Sequence, residues 1–517
     1  MTLKRAILAL LTIFAIARIG FSLNDSFSQP QIQSRLELYQ TNLVLHVAEF
    51  KTSPQDEFDL NSAVSSIVGD DPYSAASKQY QKVLEESQAS RDIFISQLKQ
   101  LDSSIVSVDG NNQFEGNTVQ KGQLQQQIVE MEKLINELDL KRGILAAVQN
   151  QTSQAIDIWD NQINRIDNPQ NTYVKTALLL EQLWQNKPLD ADAKSIITNN
   201  LDSWFRYQAL AQFDRVNNLT DDLARLQAKE IEIATGSVAK LAFISAFPIF
   251  GGIFGTGLLI FLMIQRLLKK EESIIATNSN VNWSTPWDWE ITWQVMIVGF
   301  FFVAQIALPL LLGILNINPV NSSLRVKSLY VFGTYLTMAI GGISVLYFSI
   351  KSFRPLPKDW FKFKITGNWI LWGFGGYLVA LPLVLLVSLI NQQIWHGQGG
   401  SNPLLFLALQ AQDRVALMIF FVTSSIAAPV FEEIMFRGFL LPSLTRYISV
   451  KSAIVISAFI FAIAHLSLSE VLPLATLGMV LGFVYTRSRN LLAPMLLHSL
   501  WNSGTLLSLF VLGSSAG

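Results

Sequence analysis

The spacing of hydrophobic and polar positions changes along the chain near residue 238. Between Asn24 and Ser237 apolar residues recur three and four apart among Gln, Glu and Lys, most clearly over 78–101, 119–166 and 201–233. That spacing places one apolar stripe on an otherwise solvated helix, so a helical domain with an aqueous surface is expected. Gly110, Asn111, Asn112 and Gly116 mark a turn, and two of these stretches should fold back on each other as a coiled-coil-like hairpin.

After Val238 the stripes give way to continuous apolar runs near 238–264, 291–315, 328–350, 367–390, 414–445, 452–468, 471–486 and 491–513. A helix needs on the order of 20 residues to cross a bilayer, and each run is read as a span. A further apolar run follows Lys4 and Arg5 and ends near Leu23. A basic flank before such a run reads as a signal anchor, or as a signal peptide cut after Ala15-Ile16-Ala17. Arg18, directly after that triplet, favours the anchor. The expected fold is an all-α, polytopic membrane helix bundle of about eight or nine transmembrane helices with an inserted extracytoplasmic helical domain. Its parts are the anchor or signal at 1–23, the inserted domain at 24–237, membrane helices at 238–400 and a C-terminal core at 401–517.

Composition agrees, because 50% of the 517 residues are hydrophobic and only 15% are charged. A net charge of -1 gives no electrostatic basis for a nucleic-acid partner. The basic residues instead punctuate every second loop: Lys4 and Arg5; Arg266, Lys269 and Lys270; Lys351 to Lys364; Arg446 and Lys451; Arg487 and Arg489. Basic loops stay cytoplasmic, which places the N-terminus inside and both the 24–237 domain and the C-terminus in a periplasm or lumen. Arg325 and Lys327 run against this pattern. Glycines four apart, Gly251 with Gly255 and Gly478 with Gly482, are expected to let helix backbones approach. The tryptophans at 283, 287, 289, 293, 360, 369 and 372 are read as interfacial anchors.

The absence of cysteine removes disulfides and thiolate chemistry, and leaves carboxylates, imidazoles, hydroxyls and amides. Charged groups inside apolar helices cost a few kcal/mol each and persist where they are paired or functional. The C-terminal spans hold Glu432, Glu433 and Arg437, then His465, then His498 and Asn502. Glu433 and Arg437 are four apart with the acid first, the better order for a helical ion pair. Glu432 is turned about 100° away and is left to face a cavity as a general base. His498 and Asn502 share a helix face and offer two adjacent donors for an oxyanion, while His465 supplies a second imidazole for the water or the leaving amine. Of the remaining histidines, His46 is expected to be a packed core residue and His396 an exposed loop residue. No catalytic set is evident between 24 and 237.

In order along the chain, Glu432-Glu433 to Arg437, Phe461 to His465 and His498 to Asn502 match Glu-Glu-x-x-x-Arg, Phe-x-x-x-His and His-x-x-x-Asn. Over about 410–513 the chain therefore resembles the CAAX-processing and bacteriocin-processing membrane proteases, the CPBP or Abi family. The resemblance implies an intramembrane endopeptidase with Glu432 and His465 activating water and His498 and Asn502 stabilising the oxyanion. It also implies a hydrophobic or lipidated, prenylated (CAAX-type) substrate and contact with membrane lipids. Family members have been labelled metalloproteases, and Glu432, His465 and His498 would be the ligands if Zn2+ were used; without a His-Glu-x-x-His helix, a metal-free mechanism is favoured. The alternative is a non-proteolytic scaffold or immunity-type protein that binds a protein partner through 24–237. A transporter is disfavoured because no inverted repeat is apparent.

Overall fold

The computed structural model describes residues 2–27, 29–49, 68–106, 114–317, 319, 322–410 and 413–513. The chain separates into two compact units, 1–27 with 246–510 and 28–245 with 511–517. In order, the helices are α1 (Leu3–Phe27), α2 (Ile32–Ala48), α3 (Pro72–Val106), α4 (Phe114–Val148), α5 (Thr152–Arg165), α6 (Thr172–Trp184), α7 (Asp192–Asn200) and α8 (Ser203–Val216). They continue as α9 (Thr220–Lys269), α10 (Trp289–Ile314), α11 (Leu324–Ile350), α12 (Trp369–Trp395), α13 (Pro403–Gln410), α14 (Arg414–Leu444), α15 (Val450–Ile463), α16 (Leu468–Ser488) and α17 (Leu492–Gly513).

In the unit 28–245 the expected long helices are cut at asparagines. Asn150 (φ 61°), Asn186 (φ 58°) and Asn218 (φ 56°) take the left-handed conformation that ends a helix, which asparagine adopts more readily than other side chains. The stretches 119–166 and 201–233 are thereby each divided in two. Helices α3 and α4 do pack side by side. The turn expected at Gly110–Asn112 lies outside the described residues, and Gly116 falls within α4. A lone two-stranded coil is not what forms, however: Trp159, Trp204, Phe205, Leu180 and Ile144 are fully buried in one core shared by several helices. Gly143 makes room for it, since a Cβ there would lie 2.1 Å from the indole nitrogen of Trp159.

In the membrane unit, eight helices among the described residues are long and apolar enough to cross a bilayer, with the later part of α9 covering the 238–264 run. One expected span fails. The 452–468 run forms α15, whose 14 residues reach about 21 Å at 1.5 Å per residue against roughly 30 Å of hydrocarbon. Its neighbour α14 is interrupted by wide π-type turns at Thr423–Ala427 and Ile434–Leu440, which flank Glu432 and Glu433. The glycine pairs act at close contacts: a Cβ on Gly255 would sit 1.9 Å from the Leu378 carbonyl oxygen, and one on Gly478 would sit 3.0 Å from the Ala458 Cβ.

Trp283, Trp287 and Trp360 are buried rather than lipid-facing. Trp287 donates to Ser443 Oγ at 3.0 Å, and Trp283 stacks on Tyr485 at 5.3 Å, so these rings pin the connecting segments to α14 and α16. Helix α1 packs on α10, where Trp293 donates to Thr12 Oγ1 at 2.7 Å and Glu290 pairs with Lys4 at 3.0 Å and Arg5 at 2.7 Å.

Candidate active site

The site begins with a buried ion pair. Arg437 donates to Glu433 Oε1 at 2.9 Å, both side chains being fully buried, so the expected pair along the helix is present. The guanidinium also donates to the Gly478 carbonyl at 3.1 Å and lies over the Phe461 ring at 4.5 Å. Gly478 serves twice here, since its missing side chain lets α16 approach α15 and brings that carbonyl within reach. Two charges placed in this setting are stable only when paired, and removing one would leave the other uncompensated.

Glu433 Oε1 accepts a second hydrogen bond, from His498 Nδ1 at 2.8 Å. That contact fixes the imidazole: with Nδ1 as donor, the neutral ring presents an Nε2 lone pair on its far side. His498 Nε2 lies 3.9 Å from Glu432 Oε2. Glu432 Oε1 accepts from the Tyr335 hydroxyl at 3.0 Å, whereas its buried Oε2 has no hydrogen-bond partner among the described residues. A separation of that size is too long for a direct bond and short enough for one water to bond both groups.

His465 stands just beyond the C-terminus of α15, in the turn before α16, and not within a helix as its motif suggested. Its Nδ1 faces the Phe461 carbonyl at 2.9 Å, which leaves Nε2 as the acceptor of the neutral ring. The two imidazoles flank one phenyl group: the centroids of His465 and His498 lie 4.9 and 5.8 Å from that of Phe461. Asn502 donates to the Ser424 carbonyl at 2.7 Å, so one of its two amide protons is engaged with α14. Glu433 thus joins Arg437 and His498, with Glu432 3.9 Å from that imidazole, while His465 meets His498 only across Phe461 and Asn502 is bonded to Ser424. The paired donors expected of His498 and Asn502 are modified by these bonds, because His498 Nε2 can donate to an oxyanion only when the ring is protonated.

Among the described residues no three His, Asp or Glu side chains are placed to hold one ion, and Glu433 Oε1 is already shared by Arg437 and His498.

Two residues escaped the sequence reading. Tyr335 comes from α11, 97 positions before the carboxylate it meets, and nothing in an apolar span marks one tyrosine as facing inward. Glu470, in the first turn of α16, accepts from the Asn402 amide at 2.8 Å and lies within electrostatic reach of His465. The loop around it is tied down as well, with Gly399 O accepting from the Ser26 hydroxyl at 3.0 Å and from Ser469 N–H at 3.0 Å.

The profile of type II CAAX prenyl endopeptidases, Rce1-like, matches residues 414–504, the segment that carries every one of the motif residues. Residues 414–504 belong to the CPBP family. Two relatives of this CPBP segment extend the match. YdiL of Bacillus subtilis, provisionally named a membrane peptidase, is 28% identical over 207 residues, covering 39% of this chain and 81% of its own. The membrane-embedded CAAX protease MroQ of Staphylococcus aureus is 23% identical over 217 residues, covering 41% and 86%. No solved structure matches the chain. The coarse activity follows from the family: a CAAX-type intramembrane protease in a multi-pass membrane protein. Tyr335 lies before the matched segment, so this CPBP site draws a partner from an earlier span.

Proposed function

We propose that the chain hydrolyses a peptide bond of a membrane-associated, hydrophobic or lipidated protein, with Glu432 as the general base on a water held against His498. The observation that carries this is the partnerless Glu432 Oε2, 3.9 Å from His498 Nε2 in a membrane-buried setting. Glu432 removes the proton from the attacking water while Tyr335 holds its other oxygen. Glu433 and Arg437 do not meet the substrate; they fix His498. The proton then reaches the leaving amine, and His465, whose Nε2 is the acceptor of the neutral ring, is the relay on the far side of Phe461. The oxyanion is met by Asn502 through its remaining amide proton, joined by His498 once that ring has gained a proton. No metal enters these steps.

The test uses purified protein in detergent with membrane-anchored and prenylated peptides. Glu432→Gln and His465→Gln are expected to lower kcat by at least about 100-fold, the usual scale for removing general acid–base catalysis. Wild-type rates in either variant would discard the mechanism, and rates abolished by a zinc chelator would restore the metal reading.

The orientation is part of the same proposal: 28–245 outside the cytoplasm, the basic loops within. Because the chain has no cysteine, single replacements report position without background. Ser96→Cys should react with a membrane-impermeant maleimide on intact cells and Lys358→Cys only after permeabilisation. The opposite pattern would invert the topology.

A further inference from the structure

His46 is buried as the sequence implies, at 2% exposure, yet its partners make more of it than a packed core residue. Its Nδ1 contacts Glu230 Oε1 at 2.5 Å, and its Nε2 contacts the Ser203 hydroxyl at 2.8 Å. All three residues lie in the unit 28–245 and come from α2, α8 and α9. The order of contacts, acid to Nδ1 and Nε2 to hydroxyl, is the one that makes serine a nucleophile. The carboxylate holds the proton on Nδ1, so Nε2 offers its lone pair to the hydroxyl.

The backbone at Ser203 adds a second observation. Its φ of 51° lies in the left-handed region, an uncommon conformation for serine, at the point where the chain enters the 14-residue α8. A strained turn directly into a helix is how the nucleophile of many hydrolases is presented, with the N–H of the next residue helping to bind the oxyanion. Here the N-cap Asp202 makes no side-chain bond to the helix start, and its carboxylate pairs with Lys141 at 2.7 Å instead. The backbone bonds of α8 begin with Arg206 N–H to Asp202 O at 3.1 Å. The N–H groups of Trp204 and Phe205 therefore precede that ladder and have no partner among the described residues. The first turn is held in place by Glu49, whose Oε1 accepts from Trp204 Nε1 at 3.1 Å and Gln208 Nε2 at 2.6 Å. Ser203 itself is half-buried while His46 and Glu230 are buried, so Ser203 is the member of the set with surface left to solvent.

We propose that the unit 28–245 carries a second hydrolytic site, a Ser203–His46–Glu230 triad that cleaves short-chain carboxylic esters. Ser203 Oγ bonds to the ester carbonyl carbon and its proton passes to His46 Nε2. The bond from that carbon to the alcohol oxygen breaks, and His46 returns the proton to the departing alcohol. Water then adds to the acyl-serine through the same base, releasing the acid and restoring the hydroxyl. A short acyl group is chosen because Trp204 and Phe205, which follow Ser203, are fully buried in the core of the unit.

The experiment uses the full-length protein in detergent, carrying Glu432→Gln so that the membrane site is silenced. A fluorophosphonate probe should attach to Ser203, as located by peptide mass spectrometry, and p-nitrophenyl butyrate hydrolysis should fall to background in Ser203→Ala and His46→Gln. The lack of cysteine supplies a readout that does not depend on turnover. Ser203→Cys introduces a unique thiol, and at pH 7 iodoacetamide should alkylate it at least about tenfold faster than in the double variant Ser203→Cys/His46→Gln, because an adjacent base raises the thiolate fraction. Absence of a probe adduct, together with equal alkylation rates with and without His46 in variants of unchanged circular dichroism, would overturn the proposal and leave a hydrogen-bond network that only joins α2, α8 and α9.

Discussion

Glu432 and Glu433 are adjacent in sequence and opposite in circumstance. Glu433 is fully buried with its Oε1 shared by a guanidinium and an imidazole, whereas Glu432 bonds to Tyr335 and has its Oε2 3.9 Å from His498 Nε2; one oxygen of each carboxylate has no partner among the described residues. The division was legible from the sequence, because a helix turns successive residues about 100° apart and Arg437 sits four positions from only one of them. What faces the other was not, since Tyr335 belongs to another span and its orientation depends on packing. This residue carries a prediction. Tyr335→Phe removes one hydrogen bond to a charged acceptor, a contact worth about 1.5–3 kcal/mol. It is expected to lower kcat by about tenfold or more with KM unchanged, measured as peptide cleavage across a pH series. A shifted pH profile would accompany the loss if Tyr335 tunes Glu432, and an unchanged kcat would remove it from the site.

At the scale of elements, α14 depends on its first turn. Asp413 caps it by accepting from Val415 N–H at 2.8 Å and Ala416 N–H at 3.3 Å, and it also accepts from Arg325 Nε at 2.5 Å. This explains one of the two charges that ran against the loop pattern, since Arg325 is neutralised where it stands. The Arg325 guanidinium, followed by the backbone N–H groups, holds the Asp413 carboxyl below the usual carboxylate range. A depressed folded-state value contributes stability that is complete above the ordinary aspartate pKa and is lost as pH falls through the lowered one. Asp413→Ala should lower the midpoint of thermal unfolding at pH 7 in detergent, as loss of an N-cap does, and the difference from wild type should shrink in strong acid. Equal midpoints at pH 7 would show that the cap is idle. Helix breaks were less legible than caps: the apolar stripe runs through Asn150 and Asn218 unaltered, and only the backbone shows the left-handed turns there.

Across the whole molecule, an all-α membrane protein with a helical insertion was readable from hydrophobic periodicity alone, and the motif residues fall in the segment 414–504 that the family profile matches. The error over 452–468 has a simple origin: hydropathy measures how apolar a run is, and α15 continues into an apolar turn, so the run looks longer than the helix. That turn is what positions His465. The chain leaves the helix at Ile463, and the imidazole then meets the same phenyl ring as His498.

A helix of 14 residues also sets a demand on its surroundings. Lipids beside α15 must compress their acyl chains or admit headgroups and water to meet its polar end, at a cost of fractions of a kcal/mol for each ångström of mismatch. Such a dimple shortens the path by which water and an unpaired peptide group descend to the carboxylate. Reconstitution in phosphatidylcholines of increasing chain length should therefore slow cleavage steadily as the leaflets thicken, with thermal stability changing less. Rates indifferent to chain length would mean that neighbouring helices, rather than lipid, fill the space beyond Ile463.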